Sequence, residues 1–496
     1  MSVFQNYKYI FYDLETTGQN ACFDQVIRFA AKETDHKLNI LKHHNIDIQL
    51  RSDIVPHPKA LLVNRLPIEQ LNVGKNEYEA FKEIHSIMNQ PNSINIGYNS
   101  LSFDDNFLRF GFFRNLFEPY THQFKNNNFR ADLYKMIMVY YLYKNDDSIT
   151  WPMPNNRLSL RLEQINAINT LYEGMSHDAE VDVFVTIELA KKLQSIDYKM
   201  WDYLISSFKV DNDKNYFSNL PDLECINEEK YKIGVFISNK NGLASNYSSP
   251  VIELCTAYEN EERKEKKKRL LRLDIYDFSE FSIDNFVDKI EKGILTKTFG
   301  EPDFILPFSD KYLRIFNEHA IGLAKSNLAW IKHNPECLEK LNEKYQNKNY
   351  EKSDLAIDLD ASLYEGGFFN TEEKNICNQF HKSNESQKIA IISSLSSKND
   401  KNRIVSMAKR ILGRNFFNYL NPEDQDQYLN YLSSIFHKDP CLVDYAGKLR
   451  VNPNTILKET RELMKNSNNS SEDNKILQQL ETLIEEKIQI QQDLGF

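Results

Sequence analysis

Four acidic side chains and one histidine carry the chemistry legible in this chain. Asp13 and Glu15 stand two apart in the run Phe11-Tyr12-Asp13-Leu14-Glu15-Thr16-Thr17-Gly18. On a strand, residues two apart project from the same face, so the two carboxylates point together. Side by side on an apolar strand they repel and lose solvation, an arrangement that a bound cation relieves. An oxygen-only donor set suits Mg²⁺ or Mn²⁺. A second acidic pair, Asp104-Asp105, follows Gly97-Tyr98-Asn99 and opens a helix near Phe103. That places a carboxylate at the carboxyl edge of a sheet, where ligands of α/β proteins gather. An acid in a first helical turn is equally a partner for the helix dipole, and either Asp104 or Asp105 fits the role.

The third piece is His177-Asp178-Ala179-Glu180-Val181-Asp182. Asp182, Val185, Thr186 and Leu189 share one helical face, so Asp182 heads an apolar stripe with no Lys or Arg on that helix before Lys191. His177 titrates near neutrality. Beside a metal-bound water it is a candidate general base; elsewhere it is a capping or packing residue. Together Asp13, Glu15, Asp104, Asp182 and His177 fit a two-metal phosphodiesterase site, in which cations activate a water and stabilise a leaving oxygen.

These residues need a scaffold. Residues 8–14, 26–34 and 41–50 read as strands, and residues 77–88 as a helix with Tyr78, Phe81, Ile84, Ile87 and Met88 on one face. A short strand at 93–98 leads into the helix near Phe103. The pattern predicts one sheet with helices packed on it. Through 201–350, residues 231–238, 249–257 and 270–278 read as strands, the last pairing with the second. The run 259–269 between them holds Lys264, Lys266, Lys267, Lys268 and Arg269. It reads as a solvated hairpin tip or as a basic flap on phosphates. Beyond 355 the pattern is helical, as at 403–412 and 427–436. The final segment puts Ile476, Leu477, Leu480, Leu483, Ile484 and Ile488 on one face behind an N-cap at Ser470 or Ser471, and is expected to dock on the body.

With 496 residues the chain has room for about three domains. Its 61 basic and 71 acidic side chains give a net charge of −10, which argues against a histone-like coat of positive charge and leaves a local basic groove open. Hydrophobic residues at 41% and aromatics at 12% exclude wholesale disorder. The six cysteines are scattered without a Cys-x-x-Cys pair, which suggests neither a disulfide framework nor a cysteine zinc site and fits a reducing compartment. The first fifteen residues lack a signal-peptide layout, and the longest apolar run, 136–143, is too short to span a membrane. The expectation is a soluble, cytoplasmic, multidomain protein without a membrane partner.

The order Asp-x-Glu, Asp, His-x4-Asp resembles the DEDDh exonucleases of the RNase H-like fold. A closer resemblance, to bacterial members that degrade single-stranded DNA from its 3′ end, is carried by four stretches. They are Gly97-Tyr98-Asn99 with Phe103-Asp104-Asp105, Phe113-Arg114-Asn115 with Pro119-Tyr120, Ser159-Leu160-Arg161-Leu162-Glu163, and Leu363-Tyr364-Glu365-Gly366-Gly367-Phe368-Phe369. The resemblance covers most of the chain and weakens through 205–350 and after 465.

It implies an α/β fold: an RNase H-like exonuclease domain with a mixed five-stranded sheet at 1–200, an SH3-like β-barrel domain at 201–352, and a C-terminal helical domain at 353–496. By the same resemblance Asp13, Glu15, Asp104 and Asp182 would hold two Mg²⁺ ions, with Mn²⁺ as a substitute, and His177 would deprotonate the water. Glu15, Arg161 and His177 would contact the terminal nucleotide. Arg109, Tyr120 and Arg130 would line the path of the strand, Arg for phosphate and Tyr for stacking. The ordinary readings are Tyr120 as a core ring and Arg109 as a surface helix residue. The implied activity releases deoxynucleoside 5′-monophosphates in DNA repair and recombination. The implied partners of this monomer are single-stranded DNA and the acidic carboxyl tail of the single-stranded DNA-binding protein. No residues are assigned to that tail, because 303–309 departs from the family pattern. An exoribonuclease of the same superfamily and a non-catalytic single-strand-binding protein are the competing readings.

Overall fold

The computed structural model describes residues 4–144, 148–174, 178–258, 265–301, 303–346, 357–396, 402–436 and 442–493. The chain packs into two compact units. One comprises Asn6–Phe129, Tyr172–Thr186 and Lys352–Phe496; the other comprises Met1–Gln5, Arg130–Leu171 and Ile187–Glu351.

The first unit holds strands β1 (Lys8–Thr16), β2 (Val26–Thr34), β3 (Ile40–Asp47) and β4 (Ser93–Gly97); with β5 (Phe129–Asp132), of which only Phe129 is counted in this unit, the sheet has the order β3-β2-β1-β4-β5. β1 runs antiparallel to β2 and parallel to β4, so the expected mixed five-stranded sheet is present. Tyr9, Ile10, Phe11 and Tyr12 are all buried, as a central strand covered on both faces requires. The helix Glu77–Met88 has the predicted bounds. Asn76 caps it by accepting from the Glu79 amide at 2.9 Å, and Tyr78, Phe81 and Ile84 enter the core. The helix Asp104–Arg114 packs so closely on Phe81 that a Cβ at Gly111 would come within 2.0 Å of the ring. Sequence reading carried the third strand to residue 50, where the ladder stops at Asp47, and it missed the four-residue β5.

The C-terminal helices Arg403–Asn415, Pro422–Phe436, Pro453–Met464 and Ser471–Asp493 belong to this same unit. Ser470 Oγ accepts from the Asp473 amide at 3.0 Å, and the Asp473 carboxylate accepts from the Ser470 amide at 2.9 Å. The last helix docks as expected: Ile476, Leu480 and Ile484 pack with Leu61, Ile68 and Leu71. A buried ionic network joins the sheet portion to these helices. Arg51 bonds Asp53 at 2.9 Å and Glu77 at 2.8 Å; Arg114 reaches Glu77 at 3.0 Å; Arg414 reaches Asp53 at 2.9 Å and also pairs with Asp360. Burial alone would raise the Asp53 pKa, but Arg414 and Arg51 hold it well below the usual carboxylate range.

The other unit contains β6 (Asp222–Glu224), β7 (Lys230–Ile237), β8 (Ser248–Tyr258), β9 (Glu265–Arg272), β10 (Ile294–Thr298) and β11 (Phe304–Pro307). They form an antiparallel sheet of order β10-β9-β8-β7-β11, with β6 on β7, where the sequence predicts the β region. Ile233, Ile252, Leu271, Phe278, Phe286 and Leu338 share its core. β8 and β9 pair as the predicted hairpin, although β9 starts earlier than 270 because its charged residues find partners. Lys268 reaches Glu253 at 2.7 Å, and Arg269 donates to Thr296 Oγ1. The tip, 259–264, with Lys264, lies outside the described residues. Among the described residues no helix is long and apolar enough to cross a membrane.

Candidate active site

The site starts at the carboxyl end of β1. Asp13 lies opposite Ala30 and Glu15 opposite Arg28 in the ladder with β2, so a small side chain leaves room beside Asp13. The register slips between Glu15 and Thr16, a bulge of the kind that re-aims side chains at a strand end. The following loop is pinned: Gln25 N donates to Thr17 Oγ1 at 2.9 Å, and Thr17 N donates to Gln25 O at 2.9 Å. A Cβ at Gly18 would sit 2.4 Å from Asp24 Oδ2, so the Asp24 carboxyl fills the space a side chain there would take.

Asp104 enters from the neighbouring strand. β4 is parallel to β1, so its carboxyl end lies beside that of β1, and the chain turns there through Asn99 in the left-handed region (φ 58°) into the helix Asp104–Arg114. Asp182 comes from the helix Ala179–Ile196. Asp178 caps its first turn by accepting from the Glu180 amide at 2.9 Å. The fully buried Lys32 of β2 pairs with Glu180, while Asn45 Nδ2 donates to Glu180 at 2.6 Å and Arg28 reaches Asp178 at 3.3 Å. Side chains of β2 and β3 thereby hold the start of this helix against the β1 carboxylates.

The electrostatics follow from that convergence. Burial raises the Asp13 pKa well above the carboxylate range, and Asp104, Glu15 and Asp182 raise it further. Glu15 is pushed up to about 9 by burial, then by Asp182, Asp104 and Asp178, with Arg28 opposing. Among the described residues neither Asp13 nor Glu15 forms an ion pair. No three Asp, Glu, His or Cys side chains among the described residues close into a ready-made cage. The surplus of oxygen donors and negative charge nevertheless fits hard dications, which take one or two protein carboxylates each and complete their shells with water and phosphate. His177 lies outside the described residues.

Asp104 and Asp105 differ in their surroundings. Asp105 is fully buried, pairs with Arg109 at 2.6 Å and lies 3.0 Å from His122 Nε2, so its charge is already matched. Asp104 is the acid that acts on Asp13 and Glu15. Arg109 is correspondingly engaged, and its guanidinium also lies 5.4 Å from the Tyr120 ring centre. Tyr120 is half-buried and meets Phe368 edge-on at 5.6 Å. Arg130, half-buried in β5, and the exposed Arg161, at the start of the helix Leu162–Asn169, belong to the other unit.

Sequence reasoning missed two features here. One is a group of exposed rings around the helix Asp104–Arg114. Tyr364 (44% exposed) and Tyr445 (45%) both lie against Phe110, and Phe368 is 78% exposed. The Leu363–Phe369 stretch quoted above held the only signal for them. The other is a cavity of about 480 Å³ that opens beside Glu15 and includes His57, Asn64 and residues 448–451.

Known proteins are similar to this chain in sequence and fold. A family model described as "Exonuclease" matches residues 10–190, and one described as "Exonuclease I C-terminal domain" matches residues 357–487. The exodeoxyribonuclease I of Buchnera aphidicola subsp. Schizaphis graminum is 27% identical over 467 residues, covering 89% of this chain and 90% of that protein. That of Escherichia coli K12 is 32% identical over 205 residues, 41% of this chain and 43% of that protein. E. coli exonuclease I, solved in complex with a dA16 oligonucleotide, superposes with a TM-score of 0.82 at 21% identity, covering 97% of this chain and 100% of that one. Exonuclease I from Methylocaldum szegediense gives a TM-score of 0.82 at 20% identity, with the same coverage. The fold is thus that of the RNase H-like exonucleases with a helical C-terminal region, and the chain is a homologue of exodeoxyribonuclease I over most of its length.

Proposed function

We propose that this chain is a divalent-cation-dependent 3′→5′ exonuclease that shortens single-stranded DNA and releases deoxynucleoside 5′-monophosphates, acting in DNA repair and recombination. The observation that carries the reading is the convergence of Asp13, Glu15, Asp104 and Asp182 at one sheet edge, with no compensating cation paired to the two β1 acids among the described residues. These four residues would hold two Mg²⁺ ions, with Mn²⁺ as a substitute. When bound, the ions supply an activated water and stabilise the leaving 3′ oxygen. His177 is the base that takes the proton from the attacking water, its pKa range matched to neutral pH. Arg28 and Lys32 keep the helix carrying Asp182 in place, and Glu15, Arg161 and His177 contact the terminal nucleotide.

The exposed rings of Tyr364, Phe368 and Tyr445 support a single-stranded substrate, since an unpaired base offers its face to an aromatic ring without sequence preference. Arg109, Tyr120 and Arg130 line the strand's path, Arg109 by shaping Tyr120. The exodeoxyribonuclease names of the relatives favour DNA over RNA. In this reading residues 1–200 form the nuclease domain, 201–352 an SH3-like domain and 353–496 a helical domain. The protein is a cytoplasmic monomer that also meets the acidic tail of the single-stranded DNA-binding protein; an exonuclease I structure with that partner exists. Asp182→Ala is expected to abolish Mg²⁺-dependent release of mononucleotides while the far-ultraviolet circular dichroism stays that of the parent. Undiminished, chelator-insensitive digestion by Asp182→Ala rejects the mechanism.

A further inference from the structure

We propose that residues 448–451, set by the turn 444–448 of the C-terminal region, form one wall of the catalytic cavity, and that Lys448 positions the terminal nucleotide through its phosphate. The inference rests on the nuclease reading above and extends it to a residue far outside the nuclease segment of the sequence.

The turn is a built structure. The Asp444 carboxylate accepts from the Ala446 and Lys448 amides, each at 2.9 Å, and Gly447 takes the left-handed backbone (φ 78°) that closes it. It is fixed to both catalytic elements. Asn20 Nδ2, in the loop after β1, donates to Asp444 Oδ2 at 2.9 Å, and the Tyr445 ring stacks on Phe110 of the Asp104 helix at 5.8 Å. Arg450 anchors the far side, donating to the Asp53 carbonyl with its guanidinium 5.5 Å from the Phe23 ring centre.

The cavity lined by Lys448 at the end of this turn measures about 480 Å³, within the ~300–1,000 Å³ range of small-ligand sites. Leu14, Glu15 and Thr16 line it on one side, Lys448, Leu449 and Val451 on another. Its cations differ in what they already hold. Lys59 is paired with Glu459 at 2.7 Å, and Arg450 is bound to the Asp53 carbonyl. Among the described residues Lys448 is exposed and in no ion pair or side-chain hydrogen bond. Beside it, Leu449 (57% exposed), Val63 (48%) and Val451 (37%) leave apolar surface on the same cavity. A free cation next to uncovered apolar walls, opening onto a carboxylate site, calls for a ligand with an anionic group and a flat apolar ring. A nucleotide at a strand end has both.

The test compares the parent, Lys448→Ala and Lys448→Arg on a single-stranded DNA oligonucleotide with Mg²⁺ over a range of salt. Lys448→Ala is expected to raise KM about tenfold, as loss of one charge-assisted bond implies, with a much smaller change in kcat. Its logarithmic salt slope should be shallower by about 0.7, the signature of one lost phosphate contact on a single strand. Lys448→Arg should restore both, and the thermal midpoints of all three should agree. Parent-like KM and salt slope in Lys448→Ala, or a defect that arginine fails to rescue, overturns the proposal while leaving the nuclease reading intact. A parent protein that leaves the strand uncut overturns the nuclease reading itself, and this proposal with it.

Discussion

At the scale of single residues, two adjacent aspartates have different surroundings, and the proposed site uses only one of them. Asp104 and Asp105 are indistinguishable in sequence, because both occupy the first turn of one helix. Asp105 points at Arg109 and His122 in a fully buried setting, whereas Asp104 adds to the unbalanced charge around Asp13 and Glu15. Their substitutions should therefore separate. Asp104→Asn is expected to remove hydrolysis with little loss of stability. Asp105→Ala removes the acid that the half-buried Arg109 and the buried His122 share and should cost about 1.5–3 kcal/mol, read from denaturant unfolding. Equal destabilisation by the two substitutions would contradict this division of labour. The i, i+2 geometry made the Asp13–Glu15 pair legible from sequence, and the apolar stripe did the same for Asp182. Lys448 left no such trace, because an exposed lysine on a turn looks like any other until the fold brings it to the cavity that Glu15 also lines.

Elements were legible where local physics sufficed. The helix Glu77–Met88 has both a side-chain cap and a clean apolar face, and its bounds were predicted to the residue. β5 is four residues long, too short for period-two alternation to register. The ionic network was invisible because Arg51, Glu77 and Arg114 meet Arg414 and Asp360 from some 300 residues away, and isolated charges read as surface. Helix packing also buries two histidines of the first unit. His381 stacks on Phe117 at 4.0 Å and accepts from or donates to the Tyr78 hydroxyl at 2.9 Å; His85 lies 5.0 Å from Phe117 and 3.1 Å from Thr121 Oγ1. Burial lowers both pKa values to about 4, aided at His85 by His122 and at His381 by Lys82. A folded pKa below the unfolded value of about 6.5 means the unfolded chain takes up the proton first. The stabilisation is thus complete above about pH 6.5 and drains away as pH falls toward 4. The difference in thermal midpoint between the parent and His381→Asn should change most steeply across that window, because the raised Asp13 and Glu15 carboxyls, which pull the other way, are common to both proteins; a constant difference between pH 6.5 and 4 would contradict the assignment.

At the scale of the whole molecule, the net charge of −10 acquires a different meaning. Part of it is the carboxylate set at the end of β1, which divalent cations would neutralise on binding, whereas the buried network of Arg51, Arg114 and Arg414 with Asp53, Glu77 and Asp360 is balanced and contributes none of it. The C-terminal region is more than an appendage, since it shares a core, a buried ionic network and a cavity wall with the sheet that carries the acids. The central claim is directional, metal-dependent trimming of a single strand, and digestion of a 5′-end-labelled single-stranded DNA oligonucleotide with Mg²⁺ tests it most directly. The account predicts a descending ladder of labelled fragments that disappears with EDTA. Immediate release of the label as a mononucleotide, or digestion that persists in EDTA, would contradict it.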